Sequence, residues 1–384
     1  MKIPFHKPNV PDSFDQIYTD SIRSGWLTSG SQVQIFEKNL SHLLEAEHII
    51  VVNSCTAALH LALAAQDLKK GDEFIAPTYT FASTVECGIY SSMNPVLVDC
   101  DNKGFLLDLN QVEDCLKKNK KIRVILPVHF GGETVDMKYL FELANKYGVF
   151  ILEDAAHATE AISTNGKVGN TNFAAAFSFY ANKNITTGGE GGALATNDSK
   201  LAGKVKKLSL HGITKDGWER FKSHGKWEYD IDRLGYKYNL TDLAAAFGNW
   251  QINQLGVWRN RRIEIIKKYL IGLDSIEGLI LPNFNKGHAL HLFVLQLETK
   301  RWSISRNEFI KKMNLAGIGL AVHYKPIHLL SFYNKNYDLN KSLFPRANSL
   351  FNSVVSLPLY PNLNDDEVDY IISCIKQLFD KYSI

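Results

Sequence analysis

Short apolar runs alternate with helical stretches through the first two-thirds of the chain, and that alternation limits the fold most. The runs HIIVVN, EFIAP, PVLVDC, RVILPVHF, VFILEDAA and GGALATN are β-branched or aromatic and bounded by Gly, Pro, Asp or Asn. Between most of them lie helical patterns such as TAALHLALAAQDL, NQVEDCLKKN and DMKYLFELANKYG. In the second, Asn110 with Glu113 three residues on marks a helix start. The third closes on Gly148, a suitable C-terminal cap. Strands that are apolar throughout and separated by helices predict an α/β fold whose mostly parallel sheet is covered on both faces.

The pattern changes near Gln251. WQINQLGVWRNRRIEIIKKYLIGL reads as a long amphipathic helix. A strand (HLFVLQL), a helix (SRNEFIKKMNLAG) and a strand (GLAVHY) follow it. In the closing segment NDDEVDYIISCIKQLFDKY, Val368, Ile371, Ile372, Ile375, Leu378 and Phe379 share one helical face, capped by Asn364 with Glu367. The expectation is a large α/β domain over 1–250 and a smaller α+β domain over 251–384. A chain of 384 residues has room for both.

Several function classes find no support. The net charge of +3 shows no imbalance that would suit nucleic acid or a membrane surface. The N-terminus lacks the apolar core of a signal peptide, and the five scattered cysteines form no CxxC, so a reduced, cytoplasmic protein is expected. No HExxH or zinc-type spacing is present, and no metal is expected.

The stretch SFYANKNITTGGEGGALAT places Lys183 ahead of a glycine cluster. A P-loop needs its glycines before the lysine, so that reading fails. No GxGxxG follows the first strand either. A lysine can instead form a Schiff base with a carbonyl cofactor, of which pyridoxal phosphate is the commonest. Such a cofactor requires a carboxylate for its pyridine nitrogen, free backbone N–H groups for its phosphate and an aromatic or apolar cover for its ring. Asp154 ends the strand VFILED, where open α/β sheets bind ligands. Ser54, Cys55 and Thr56 open a helix directly after a strand, turning a positive dipole end outward. Tyr79 or Phe81, after the next strand, could cover the ring. Taken alone, these features read equally well as a surface acid, an ordinary helix cap and core packing.

In combination they resemble the fold-type I pyridoxal-phosphate enzymes, specifically the DegT/DnrJ/EryC1 nucleotide-sugar aminotransferases. The resemblance runs nearly end to end, through VNSCTAALHLALAA, GDEFIAPTYTFAST, ILEDAAHA, FSFYANKNITTGGEGG, GYKYNLTDLAAAFGNWQINQL and VHYKPIH. It implies that Lys183 carries the cofactor and shuttles the substrate proton, and that Asp154 partners the pyridine nitrogen. His157, where many members have Gln, would contact the ring or its 3-oxygen. Cys55, Thr56, Ala57 and Ser178 would hold the phosphate, and Phe81 would stack. Asn239 would reach the partner's phosphate in a homodimer with shared sites. His323 and His328 match a loop that reaches the sugar in relatives. Lys226, in the polar stretch 211–233, could approach a nucleotide diphosphate. Gly188 and Gly189 stand where many members have one small residue.

The implied reaction moves the amine of L-glutamate through pyridoxamine phosphate to a nucleotide-linked keto-sugar. The nearest resemblance is to members that aminate C4 of a UDP-4-keto sugar for a bacterial surface glycan such as lipopolysaccharide O-antigen. Alternatives are C3 amination, a dTDP- or GDP-linked sugar, or a cyclitol ketone. From another class, the chain could be a non-catalytic homologue that binds a nucleotide sugar, which the intact Lys183–Asp154 pair opposes.

Overall fold

The structure is a computed structural model and describes residues 1–11, 13, 15–102, 104–213, 229–337 and 339–384. Its centre is a seven-stranded sheet of β1 (His48–Val52), β2 (Glu73–Pro77), β3 (Asn94–Val98), β4 (Ile122–Ile125), β5 (Phe150–Asp154), β6 (Ala174–Ser178) and β7 (Gly192–Thr196). The spatial order is β1-β7-β6-β5-β4-β2-β3. Pairing is parallel from β6 through to β3, whereas β7 runs antiparallel to both β1 and β6. Six strands therefore point one way, and their C-terminal ends share one edge of the sheet.

Both faces of the sheet are buried. Ile50, Val52, Leu152, Ala176 and Leu194 pack on one side with the helix Cys55–Ala64. Ile49, Val51, Ala175, Phe177 and Ala193 pack on the other with the helix Ser31–Leu44. Alternate residues thus serve different cores, so each strand is apolar throughout. A fully buried Val, Leu, Ile or Phe side chain contributes about 1.5–3 kcal/mol.

Six strands lie where the apolar runs predict them. β6 was not among those predicted. Its core, AAAFS, is rich in alanine, a poor strand former, and only its place between β5 and β7 forces it extended. The helix expected from Asn110 begins at Leu109, and Asp108 caps it by accepting from the N–H groups of Asn110 and Gln111. Gly148 caps its helix in the left-handed conformation (φ 68°), as expected.

The long helix spans Asp242–Leu273, so it starts before the predicted change at 250–251. Thr241 caps it by accepting from the Ala244 N–H. Asp242, buried, accepts from the N–H groups of Gly30, Gln32 and Val33 and thereby caps the helix Ser31–Leu44.

Beyond the long helix, a smaller antiparallel sheet joins β8 (Leu279–Ile280), β9 (Phe293–Leu297) and β10 (Val354–Leu357). The terminal helix Asp365–Tyr382 carries the expected capping box of Asn364 and Glu367 and buries Val368, Ile371, Ile372 and Ile375. The strand expected over GLAVHY does not form. Only Ala321 bridges to Ser356, and the segment turns toward the large sheet. Several hydrogen bonds hold the two parts together there. Tyr79 Oη donates to the His323 carbonyl (2.6 Å), Thr78 Oγ1 pairs with His328 Nδ1 (2.7 Å), and Asp99 accepts the Arg346 N–H (2.9 Å). No helix among the described residues is long and apolar enough to cross a membrane.

Candidate active site

The shared strand edge opens into a cavity of about 420 Å³, within the range of small-molecule sites. Each wall follows from the topology. β1 ends and Ser54 caps the next helix, its Oγ accepting the Ala57 N–H (3.1 Å). That leaves the first N–H groups, at Cys55 and Thr56, at the cavity. Gly192, the first residue of β7, lets this helix start pack close, because a Cβ there would lie 2.4–2.6 Å from the Ser54 and Cys55 backbone.

Asp154 closes β5 and is buried. Its Oδ2 accepts from Thr84 Oγ1 (2.6 Å) and its Oδ1 from the Ala156 N–H (3.1 Å). Burial pushes its carboxyl up, and the Thr84 and Ala156 hydrogen bonds pull back toward the ionised form. Lys183 stands on the loop between β6 and β7. Burial brings its ammonium down to about 8, opposed by Cys55 and Asp154. The loop turns tightly through Gly188 (φ 92°) and Gly189 (φ 142°), conformations that suit glycine alone. The Ala181 N–H donates to the Gly189 carbonyl (3.0 Å), closing the turn. The additional glycine is thus absorbed in the turn.

His157 is held at both ring nitrogens. The Gly131 N–H donates to Nδ1 (3.1 Å), and Nε2 lies 2.9 Å from Tyr324 Oη. Burial and the nearby charge of Lys183 keep the imidazole well below its ordinary pKa. His323 also lines the cavity. Its Nδ1 pairs with Ser356 Oγ (2.8 Å), and burial lowers it to about 3.

The structure brings Cys55, Thr56, Phe81, Asp154, His157, Ser178, Lys183 and His323 to this one cavity. It separates the two aromatic candidates: Tyr79 is fully buried, whereas Phe81 is 59% exposed at the cavity wall. Three other residues lie elsewhere. Ala57 is buried in the helix core, and its N–H is taken by Ser54. His328 is buried between Thr78 and Asn348 and stacked on Phe344, because its loop turns into the interface of the two parts. Asn239 lines a separate cavity with Ser29 and Lys206, and its Nδ2 donates to Ser29 Oγ (2.8 Å). Lys226 lies outside the described residues.

Sequence reading missed Thr84, Tyr324, Tyr180 and Asn182, all at or beside the cavity. Thr84 sits in the motif FAST, two residues into a helix, and its role depends on a partner 70 residues away.

The residues present fit pyridoxal phosphate. A buried carboxylate, an amine lowered toward neutrality, a helix N-terminus with unused N–H groups and an exposed aromatic ring converge on one cavity.

Similarity to known proteins agrees. The profile of the DegT/DnrJ/EryC1/StrS aminotransferase family matches residues 10–376. The spore coat polysaccharide biosynthesis protein SpsC of Bacillus subtilis is 39% identical over 98% of this chain and 97% of its own. The UDP-4-amino-4-deoxy-L-arabinose–oxoglutarate aminotransferase of Shewanella sediminis is 29% identical, covering 98% of each chain. Among solved structures, the PMP-form of Spr1654 from Streptococcus pneumoniae, a candidate sugar aminotransferase, superposes with a TM-score of 0.91 at 31% identity. It covers 99% of this chain and 100% of that one. The chain belongs to the DegT/DnrJ/EryC1/StrS aminotransferase family and is a pyridoxal-phosphate-dependent aminotransferase.

Proposed function

We propose that this aminotransferase moves the amino group of L-glutamate to a nucleotide-linked keto-sugar, with C4 of a UDP-4-keto sugar as the preferred acceptor. The observation that carries the reading is the convergence of Lys183 and Asp154 on one cavity at the sheet edge. The arabinose aminotransferase's name, with its UDP, its 4-amino group and its oxoglutarate product, supports the donor, the nucleotide and the ring carbon. SpsC, by its name, supports a polysaccharide destination such as a cell-surface glycan. Cytoplasmic nucleotide-sugar pools would supply the acceptor.

When bound, the cofactor supplies an electron sink for the carbanion formed at the amine-bearing carbon. Lys183 Nζ is the covalent anchor, and an amine with a pKa of about 8 has a usable neutral fraction near pH 7. Its free Nζ would take the proton from the donor's α-carbon and return one to complete the transfer. Asp154, set by Thr84 and the Ala156 N–H, keeps the pyridine nitrogen protonated. The N–H groups of Cys55 and Thr56, with Ser178 Oγ, bind the phosphate at the positive end of the helix Cys55–Ala64. Phe81 would cover the ring, and His323, which lines the same cavity, would face the acceptor. The sites are shared in a homodimer, with Asn239 of each protomer directed to its partner.

The test is to incubate the purified protein with L-glutamate and a panel of 4-keto and 3-keto nucleotide sugars, read by mass and NMR. Amination at C4 of a UDP sugar is expected. A visible chromophore that fails to bleach with L-glutamate would remove the donor from the reading. Turnover only of 3-keto, dTDP-linked, GDP-linked or cyclitol substrates would remove the acceptor.

A further inference from the structure

A second, small chamber of about 20 Å³ lies where the N-terminal segment, the Lys183 loop and the long helix meet. The N-terminal segment is fixed at both ends. Ile3 bonds to the Gly317 carbonyl and the Gly319 N–H of the smaller part (2.8 Å each), and the Asn9 carbonyl accepts from Gln251 Nε2 of the long helix (2.8 Å). Lys183 and Asn182 line this chamber and the main cavity alike.

Four buried polar atoms of residues lining the chamber have no hydrogen-bond partner among the described residues: His6 Nε2, Asn9 Oδ1, Asn182 Oδ1 and Arg262 Nε. Arg262 is only 2% exposed, and its Nη2 is spent on Glu160 Oε2 (2.6 Å), yet its Nε–H is unpaired. Buried polar atoms are nearly always paired, and a bare one is costly. Their chemistry selects the ligand. Burial lowers His6 to about 4, so its ring is neutral with one proton. The Ala181 backbone opposes that fall, as a carbonyl does when it accepts from the ring, which places the proton on Nδ1 and leaves Nε2 bare. The chamber thus presents one donor, Arg262 Nε–H, and three acceptors. An anion satisfies the donor and is repelled by the acceptors. A cation would stand beside the Arg262 guanidinium. Water both donates and accepts, and a buried water needs about 10–15 Å³ and two to four polar partners.

We propose that this chamber holds one resident water, bonded to Arg262 Nε and to two of the three acceptors, and that Lys183 exchanges its proton with solvent through it. The exchange role rests on the cofactor reading above; the water site does not. Once Nζ has taken the donor's α-proton it is an ammonium with three equivalent protons. It passes one to the water as the water returns one of its own, so atoms and charge balance and only the identity of the proton changes. The Lys183 charge also bears on His6, which places the amine near this ring. Lys7 and Pro8, exposed residues of the same lining, set the chamber beside bulk solvent. The water can therefore turn over while cofactor and donor fill the main cavity.

The test has two arms. In a crystal structure of the wild-type holoenzyme that shows ordered water, density for a water within hydrogen-bond distance of Arg262 Nε is expected. No density there, or a bromide peak in crystals soaked with that ion, overturns the water site, and neither measurement needs a variant to fold. The second arm gives α-deuterated L-glutamate to the holoenzyme in ordinary water for one turnover and weighs the pyridoxamine phosphate released. The wild type should lose most of the label to solvent. Asn9→Leu, which removes an acceptor and fills the chamber, should retain several times more, and so should His6→Phe, which keeps its ring against Tyr360. Retention per turnover does not depend on rate, so a merely structural defect leaves it unchanged. Retention equal to wild type in both variants overturns the exchange role. A wild-type holoenzyme that forms no pyridoxamine phosphate from L-glutamate instead overturns the reading of cofactor and donor, and the crystal still judges the water.

Discussion

Thr84 Oγ1 donates to Asp154 Oδ2 across 2.6 Å, joining the helix after β2 to the end of β5. Thr80 Oγ1 lies 2.7 Å from the same Thr84 hydroxyl, so a short relay fixes the carboxylate's orientation. Burial raises the Asp154 carboxyl, and Thr84 is the largest influence opposing that rise. Thr84→Val should therefore weaken the site without touching the cofactor. A hydrogen bond to an ionised group is worth about 1.5–3 kcal/mol, or roughly 10- to 100-fold in affinity. The Kd of pyridoxal phosphate, titrated by absorbance, should rise by that factor, and an unchanged Kd would remove Thr84 from the site.

Asp154 also carries a stability cost that its function requires. Its folded pKa is raised above the unfolded value, so ionisation penalises the folded state once the pH passes the ordinary carboxylate range. Asp154→Asn should raise the Tm of the apoprotein at neutral pH. The gain should vanish at acid pH, where the wild-type carboxyl is protonated in both states. The same variant should lose turnover. Thermal scans of the cofactor-free proteins at pH 4 and pH 7 check the sign, and a variant less stable at pH 7 refutes it.

Lys183 gives a second pH signature. Its pKa is lowered to about 8, so at pH 7 roughly 10% of the apoprotein carries the neutral amine, far more than an ordinary lysine. Labelling of Lys183 by an amine-specific reagent should rise through pH 8 and level off beyond it. Surface lysines should still be rising at pH 10. The peptide containing Lys183, followed by mass spectrometry, reports the midpoint. A midpoint above 10 would mean that the cavity does not depress the amine.

The parts of this site legible in the sequence are those whose position follows from a strand end. Asp154 and Cys55–Thr56 sit where an apolar run stops, and Lys183 stands out beside its glycines. The chain does not announce partners chosen by tertiary packing. Thr84 and Tyr324 meet Asp154 and His157 from 70 and 167 residues away. The same limit hid β6, whose alanines are extended only because β5 and β7 flank them. It also misplaced the strand expected over GLAVHY, a segment drawn instead to the edge of the large sheet by Tyr79. His328 shares that segment's motif, yet its imidazole is spent between Thr78 and Asn348.

Two glycines near Lys183 should respond differently to alanine. At Gly192 a Cβ would come within 2.6 Å of the Ser54 and Cys55 backbone, which has no flexible end to move aside. Gly192→Ala should push the helix N-terminus from β7, costing about 1–3 kcal/mol of stability and most of the cofactor affinity. At Gly188 a Cβ would meet only Tyr18 Oη, at 4.0 Å, but φ is 92°, so Gly188→Ala should cost about 1–2 kcal/mol in backbone strain and leave cofactor binding nearly intact. Denaturant melts paired with cofactor titrations separate the two. Equal losses of affinity would count against the helix-start phosphate site.

Asn239 tests whether the sites are shared. Its backbone is fixed beside β1, since the Asn53 N–H donates to the Tyr238 carbonyl and Val52 bridges to Asn239. Its side chain, on Ser29, lies outside its own protomer's main cavity. In a homodimer with crossed sites, Asn239→Ala should retain cofactor poorly and Lys183→Ala should be inactive. A mixed dimer of the two regains one complete site, built from the Lys183 of one protomer and the Asn239 of the other. Random re-association makes half of the dimers mixed, each with one of two sites intact, so activity should recover to about a quarter of wild type. Subunit exchange is verified by native mass spectrometry of differently tagged chains. Activity no higher than the mean of the two parents, with exchange demonstrated, would confine each site to a single protomer.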